Sequence, residues 1–267
     1  MKSVTKLVHF VGVILPAWTL VGCSGPAAPS ALQAAPNDSA VSMAATVRPV
    51  RWVTDDGEMT LASIEDIDEL FAMPVAHGGG TEGPAFRNDS GAISRPLTCK
   101  DYFRLIDSGY DPPTTYDMSI ASFFVLRCDT LRYIRHAAPA NRSYIESFRL
   151  STQSIEELPA ELAPTWQNND AEWRENRDLA GSSWATAYPA DVITPFDSAS
   201  IDITGDAFIT NFRIVAWADF NHDGLEDVLL FLAVHVNGGT FRTYYHKALT
   251  RLVPEGPLIE VELKRFD

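Results

Sequence analysis

From Ser200 onward the chain reads as strands separated by turns, and this constrains its fold more than any other feature. The runs "ASIDITG", "AFITNFRIVAWADF", "DVLLFLAVHV", "TFRTYYHKALTRLV" and "LIEVELKRF" are rich in β-branched and aromatic residues. Such residues fit a pleated, half-buried surface, and clusters of turn-forming residues bound each run. Asn237-Gly238-Gly239 is a strong hairpin signal. The expectation is a C-terminal antiparallel meander of four or five strands over about 200–267. No stretch of 20–50 residues repeats along the chain, which argues against a propeller or solenoid built within it.

Ahead of the meander the periodicity is helical. "VRWVTDDGEMTLASI" predicts a hairpin about Asp56-Gly57, and Ser63 with Asp66 caps a short helix carrying Ile67, Leu70 and Phe71. Thr98 can cap a helix running to about Ser108, closed by Gly109, with Cys99, Phe103 and Ile106 on one face. A longer helix is expected from about Tyr116 to Ala137. Its Ile120, Phe124, Cys128, Leu131 and Ile134 recur at helical spacing. Both cysteines then lie on apolar faces that want to meet, and a Cys99–Cys128 disulfide would staple the two helices. Closing that loop would stabilise by roughly 3.6 kcal/mol in the chain-entropy model. No C-x-x-C motif and no ligand-spaced histidine accompanies these cysteines, so redox and zinc roles fall away. Ser154 with Glu157 predicts another capping box, stopped by Pro159. The fold class is therefore α+β. A disulfide-stapled helical part (about 62–190) precedes the meander within one domain, 50–267.

The N-terminus addresses the chain. Residues 1–22, "MKSVTKLVHFVGVILPAWTLVG", combine a basic start, an apolar stretch and no acid, the layout of a secretory signal. The stretch is short for a membrane span, and His9 and Pro16 interrupt it. Leu20-Val21-Gly22-Cys23 resembles the lipobox of bacterial lipoproteins. The resemblance implies cleavage before Cys23, lipid on its sulfur, and anchoring in a bacterial cell envelope. Ser24, in place of the aspartate that favours inner-membrane retention, points to the outer membrane. Residues 23–49, rich in Ala, Pro and Ser, read as a flexible tether. With Cys23 assigned to lipid, Cys99 and Cys128 are an even pair in an oxidising compartment.

The net charge is −14, and losing the signal removes two lysines and no acid. Such a surface excludes nucleic acid and would suit a basic protein partner or bound cations. Solubility alone also explains it.

One stretch points to a metal. In "DFNHDGLEDVLLF", 219–231, oxygen-bearing side chains fall at positions one (Asp219), three (Asn221), five (Asp223) and nine (Asp227). Gly224 permits the turn, and the Leu225 carbonyl supplies position seven. Hard cations take six to eight oxygens converging from such a loop. The spacing resembles the calcium loop of EF-hands, but position twelve is Leu230 instead of glutamate, and the flanks read as strands. Strand–DxNxDGxxD–strand is instead similar to the calcium-binding hairpin of FG-GAP repeats, over about 25 residues and once only. That resemblance implies Ca²⁺ held by Asp219, Asn221, Asp223 and Asp227 through side chains and by Leu225 through its carbonyl, with His222 pointing away. Ligation saturated from one loop implies a structural ion.

No catalytic set stands out. His235 should pair near Arg242 and His246 near Phe231, several rungs apart, so they form no metal pair. Gly181-Ser182-Ser183 lacks a nucleophile elbow, and no acid pair can be singled out among 35 carboxylates. Three tryptophans, Trp166, Trp173 and Trp184, sit among polar residues and fit either packing or a binding cleft. The favoured reading is an envelope-anchored lipoprotein with a calcium-stabilised domain in a non-catalytic binding or accessory role. The alternatives are an envelope hydrolase acting on glycans or peptides, its cleft near Trp166–Trp184, and an acidic inhibitor or immunity-type protein.

Overall fold

A computed structural model describes residues 47–61, 63–77, 83–164, 179 and 181–264, all within one unit, 44–267. The signal, Cys23, most of the tether, the triple-glycine run, Trp166 and Trp173 lie outside the described residues. Among these residues no helix is long and apolar enough to cross a membrane.

In chain order the principal elements are β1 (Val50–Thr54), β2 (Gly57–Leu61), α1 (Ile64–Ala72), β3 (Phe86–Arg87), β4 (Ile93–Ser94), α2 (Cys99–Asp107) and α3 (Thr115–Phe124). A π-helical turn, Val125–Asp129, joins α3 to α4 (Thr130–His136). Then come β5 (Val192–Pro195), β6 (Ser200–Thr204), β7 (Phe208–Ala218), β8 (Asp227–Val236), β9 (Arg242–Thr250) and β10 (Ile259–Val261). Eight strands build one antiparallel sheet in the order β10-β9-β8-β7-β1-β2, with β6 also pairing β7 and β5 pairing the far edge of β6.

The N-terminal hairpin thus joins the C-terminal meander in one sheet. β7 is long enough to take two partners on one edge: β6 pairs along residues 209–213, and β1 pairs at Ala216 and Trp217. Between those two stretches the register against β8 slips at Val215. That bulge turns Val215 and Ala216 to the same face and bends the strand from one neighbour to the other.

Both faces of the sheet are covered, which explains why "VLLFLAV" is apolar without a break. On β8, Leu229 and Phe231 face the helices α1–α4, while Val228, Leu230 and Leu232 face the opposite layer. That second layer is built from Ile145, Phe148, Leu150, Leu158, Leu162 and Trp184, set in irregular chain. Among the described residues, the helical part expected to reach about residue 190 has no helix longer than one turn after His136. Described residues beyond it hold only the 3₁₀ turns Ser154–Glu156 and Ala160–Leu162 and a one-turn helix, Trp184–Ala187. Among the described residues, Pro139, Pro159 and Pro164 interrupt any longer helix between Ala138 and Pro164. The capping box expected at Ser154 is absent too: its hydroxyl donates to the Ser151 carbonyl (2.7 Å), closing a local turn.

Helix starts follow the local chemistry. Ser63 with Asp66, and Thr98 with Asp101, each form reciprocal capping boxes. Cys99 and Cys128 are bonded and fully buried, joining α2 to the π turn. The buried face of α2 is Cys99, Tyr102 and Leu105; Phe103 is only partly buried and Ile106 is exposed. Anchoring α2 at Cys99 selects the i, i+3, i+6 row and turns Ile106 outward.

Candidate metal centre

The loop 219–226 connects β7 to β8, so the flanks are strands as the pattern implied. The structure gathers Asp219, Asn221, Asp223, Leu225 and Asp227 into this single connection. Gly224 sits at φ +86°, a left-handed conformation that a side chain would strain. His222 is left-handed as well, and its Nε2 points out of the loop to the His136 carbonyl at 2.8 Å.

A second chain segment packs on the loop. Asp219 and Ala138 exchange two backbone hydrogen bonds of 2.9 Å, and the Gly224 carbonyl accepts from the N–H groups of Asn141 (2.9 Å) and Arg142 (3.2 Å). The Glu226 N–H donates to the Arg142 carbonyl at 2.8 Å. The irregular segment 138–142 that follows α4 therefore packs on the loop, and Asp219 and Asp227 are 3% and 0% exposed, whereas Asn221 and Asp223 face solvent.

The side chains divide accordingly. Asp219 accepts from Asp223 N–H (3.1 Å) on Oδ1 and from Gly224 N–H (2.7 Å) on Oδ2. Asp223 Oδ1 accepts from Leu225 N–H (2.8 Å), and its Oδ2 accepts from the Asn221 amide (2.9 Å). Asp227 Oδ2 accepts from Phe220 N–H at 2.8 Å. Its other oxygen, Oδ1, is buried with no hydrogen-bond partner. Burial pushes the Asp227 carboxyl up to about 7; the Phe220 hydrogen bond and the neighbouring Thr250 hydroxyl, which donates to the Glu226 carbonyl (3.3 Å), work against this, and Asp223 and Asp219 reinforce it.

This donor set fits a hard cation: acidic oxygens crowd one loop, and one buried oxygen has nothing to bind. Among the described residues no three acidic, histidine or cysteine side chains already converge on one point, because the loop carboxylates are turned onto backbone N–H groups.

No family model, curated protein or solved structure matches this chain. Its functional reading therefore rests on its own residues.

Two buried polar groups escaped sequence reasoning. Glu226 is 1% exposed, taking Arg51 Nη2 at 2.8 Å on Oε1 while Arg48 Nη1 stands 3.9 Å from Oε2. The same Arg51 lies over the Trp217 ring at 5.1 Å. Next to Asp227, Glu226 looks like one more loop acid, and its partners are 175 and more residues distant, so no local signal existed. The other group is His246, which reaches the Thr130 hydroxyl at 2.8 Å in the helix-facing core. Both are buried, out of a substrate's reach. Trp184 also belongs to the core, edge-on to Phe212 and donating to Asp191 at 2.9 Å.

Proposed function

We propose that this chain is an envelope-anchored lipoprotein whose α+β domain is held by a calcium ion in the 219–227 loop, and that it serves as a non-catalytic binding module. Anchoring rests on the lipobox-like Leu20-Val21-Gly22-Cys23. The observation that carries the calcium reading is the buried, partnerless Oδ1 of Asp227, enclosed beside the buried Asp219 with the exposed Asp223 at the loop's rim. A divalent cation would occupy that oxygen and offset the three neighbouring acids. It would also fasten the arm 138–142, and with it the end of α4, to the β7–β8 hairpin, so its role is to stiffen the junction of helices and sheet.

The test is thermal unfolding of the purified full-length protein with chelator and with millimolar calcium. Ligand binding to the folded state alone stabilises by about 2.7 kcal/mol at a hundredfold excess over Kd, so the midpoint should rise by several degrees. Asp219→Ala should abolish the rise. A midpoint indifferent to calcium, with Asp219→Ala responding like wild type, overturns the proposal.

A further inference from the structure

Resting on the reading of this chain as a binding module, we infer that the outer edge of β10 and the cleft beside it form a docking site for an extended, basic polypeptide strand. The cleft, about 820 Å³, lies at the end of the sheet order. Among the described residues β10 pairs only with β9, from Ile259↔Thr250 to Val261↔Ala248. In an antiparallel pair, alternate residues point their N–H and C=O away from the partner, so an edge strand offers main-chain groups to an incoming strand. Leu258 and Ile259 give this edge an apolar floor, and Ile259 is itself exposed.

The walls set the charge of the occupant. Six glutamates line the cleft: Glu156, Glu157 and Glu161 from the second layer, and Glu255, Glu260 and Glu262 from β10 and its flanks. The one basic residue among the lining is Arg251. Glu157 is paired with Arg251 and Glu260 with Lys247, while Glu161 accepts from Gly181 N–H. Among the described residues no cation is paired with Glu156, Glu255 or Glu262. Edge strands are commonly guarded by charge against pairing. Here every guard has one sign, so the edge repels a second copy of this acidic chain and admits only a basic strand.

Main-chain pairing then supplies affinity, and the glutamates supply selectivity for lysine or arginine at alternate positions.

The experiment titrates the full-length protein with a fluorescent octapeptide of alternating Lys and Val, read by anisotropy at low salt. Two control peptides are used: alternating Glu-Val, and the Lys-Val peptide N-methylated at alternate backbone nitrogens. The Lys-Val peptide should bind in a salt-sensitive manner, and Glu-Val should not. The N-methylated peptide keeps the charge but cannot pair, and should bind at least about tenfold more weakly. The triple variant E156Q/E255Q/E262Q, all surface changes, should weaken Lys-Val binding by a similar factor. Equal binding of the methylated and parent peptides would reduce the effect to unspecific charge attraction and overturn the proposal. So would wild-type affinity in the triple variant, or no binding by Lys-Val. The Asp219→Ala variant should retain peptide binding, so a failure of the calcium reading and a failure of this one are seen separately.

Discussion

Replacing His246 by phenylalanine isolates one titration in the core. The His246 ring lies among Tyr133 and Phe231, at centroid distances of 5.3 and 5.5 Å, and burial pushes its pKa down to about 3. The Thr130 hydroxyl donates to the Leu126 carbonyl (2.5 Å), so the imidazole Nε2–H must donate to Thr130, and burial keeps the ring neutral. Unfolded, the same histidine titrates near 6.5. Between about pH 3 and 6.5 the unfolded chain therefore binds a proton that the folded chain refuses. Stability is fully present above 6.5 and is lost as pH falls, by about 1.4 kcal/mol per pH unit well below 6.5. From pH 7 to pH 5 the integrated loss is roughly 2 kcal/mol. Phenylalanine fits the aromatic surroundings and leaves Thr130 still bonded to Leu126. The assay is urea unfolding of wild type and His246→Phe at both pH values. Carboxylates titrate alike in the two proteins, so they cancel in the difference. Wild type should lose roughly 2 kcal/mol relative to the variant. A difference that does not change with pH would mean that His246 takes up its proton in the folded state, and the reasoning would fail.

Two further outcomes are expected. Replacing Cys99 and Cys128 together by serine opens a loop with sequence separation 29 and should cost about 3.6 kcal/mol from chain entropy alone; denaturant midpoints of the variant and of reduced wild type would show it, and an unchanged midpoint would contradict it. Asp129, in the π turn, is pushed up to about 7 by burial, with Arg132 opposing. Folded protein then keeps a proton that the unfolded chain sheds near 3.9, so stability contributed by this group is present at pH 4 and lost as pH rises through 7. Asp129→Asn should gain on wild type with rising pH, by on the order of 1–4 kcal/mol at pH 8; unfolding free energies at pH 4.5 and 8 check this, and equal differences at the two would count against it.

What could be read in the sequence was local chemistry acting within one or two turns of chain. Ser63 and Thr98 announce their helices because the capping acid lies three residues on. Asn237-Gly238 fixes the β8–β9 turn, with Gly238 at φ +72°, and that turn alone sets the pairing of His235 with Arg242 and of Phe231 with His246. The two cysteines could be paired because helical spacing placed both on apolar faces. The π turn was not legible: Phe124, Cys128, Leu131 and Ile134 keep an apolar row through it. The extra residue is absorbed by the Thr130 hydroxyl, which takes the Leu126 carbonyl.

The candidate metal loop shows the same division at finer grain. The spacing of Asp219, Asn221, Asp223, Gly224 and Asp227 decides which residues share the turn, since the hairpin is local. Which oxygen is left wanting a partner is decided elsewhere. Asp227 Oδ2 is taken by Phe220 N–H, and both oxygens of Asp219 are taken by N–H groups that Gly224 lets fold inward. The arm 138–142, more than 75 residues earlier in the chain, then covers the loop's inner side. The proposed calcium site therefore combines a locally encoded turn with long-range packing, and on that proposal Asp219→Ala and a change that detaches Ala138 should weaken calcium binding alike.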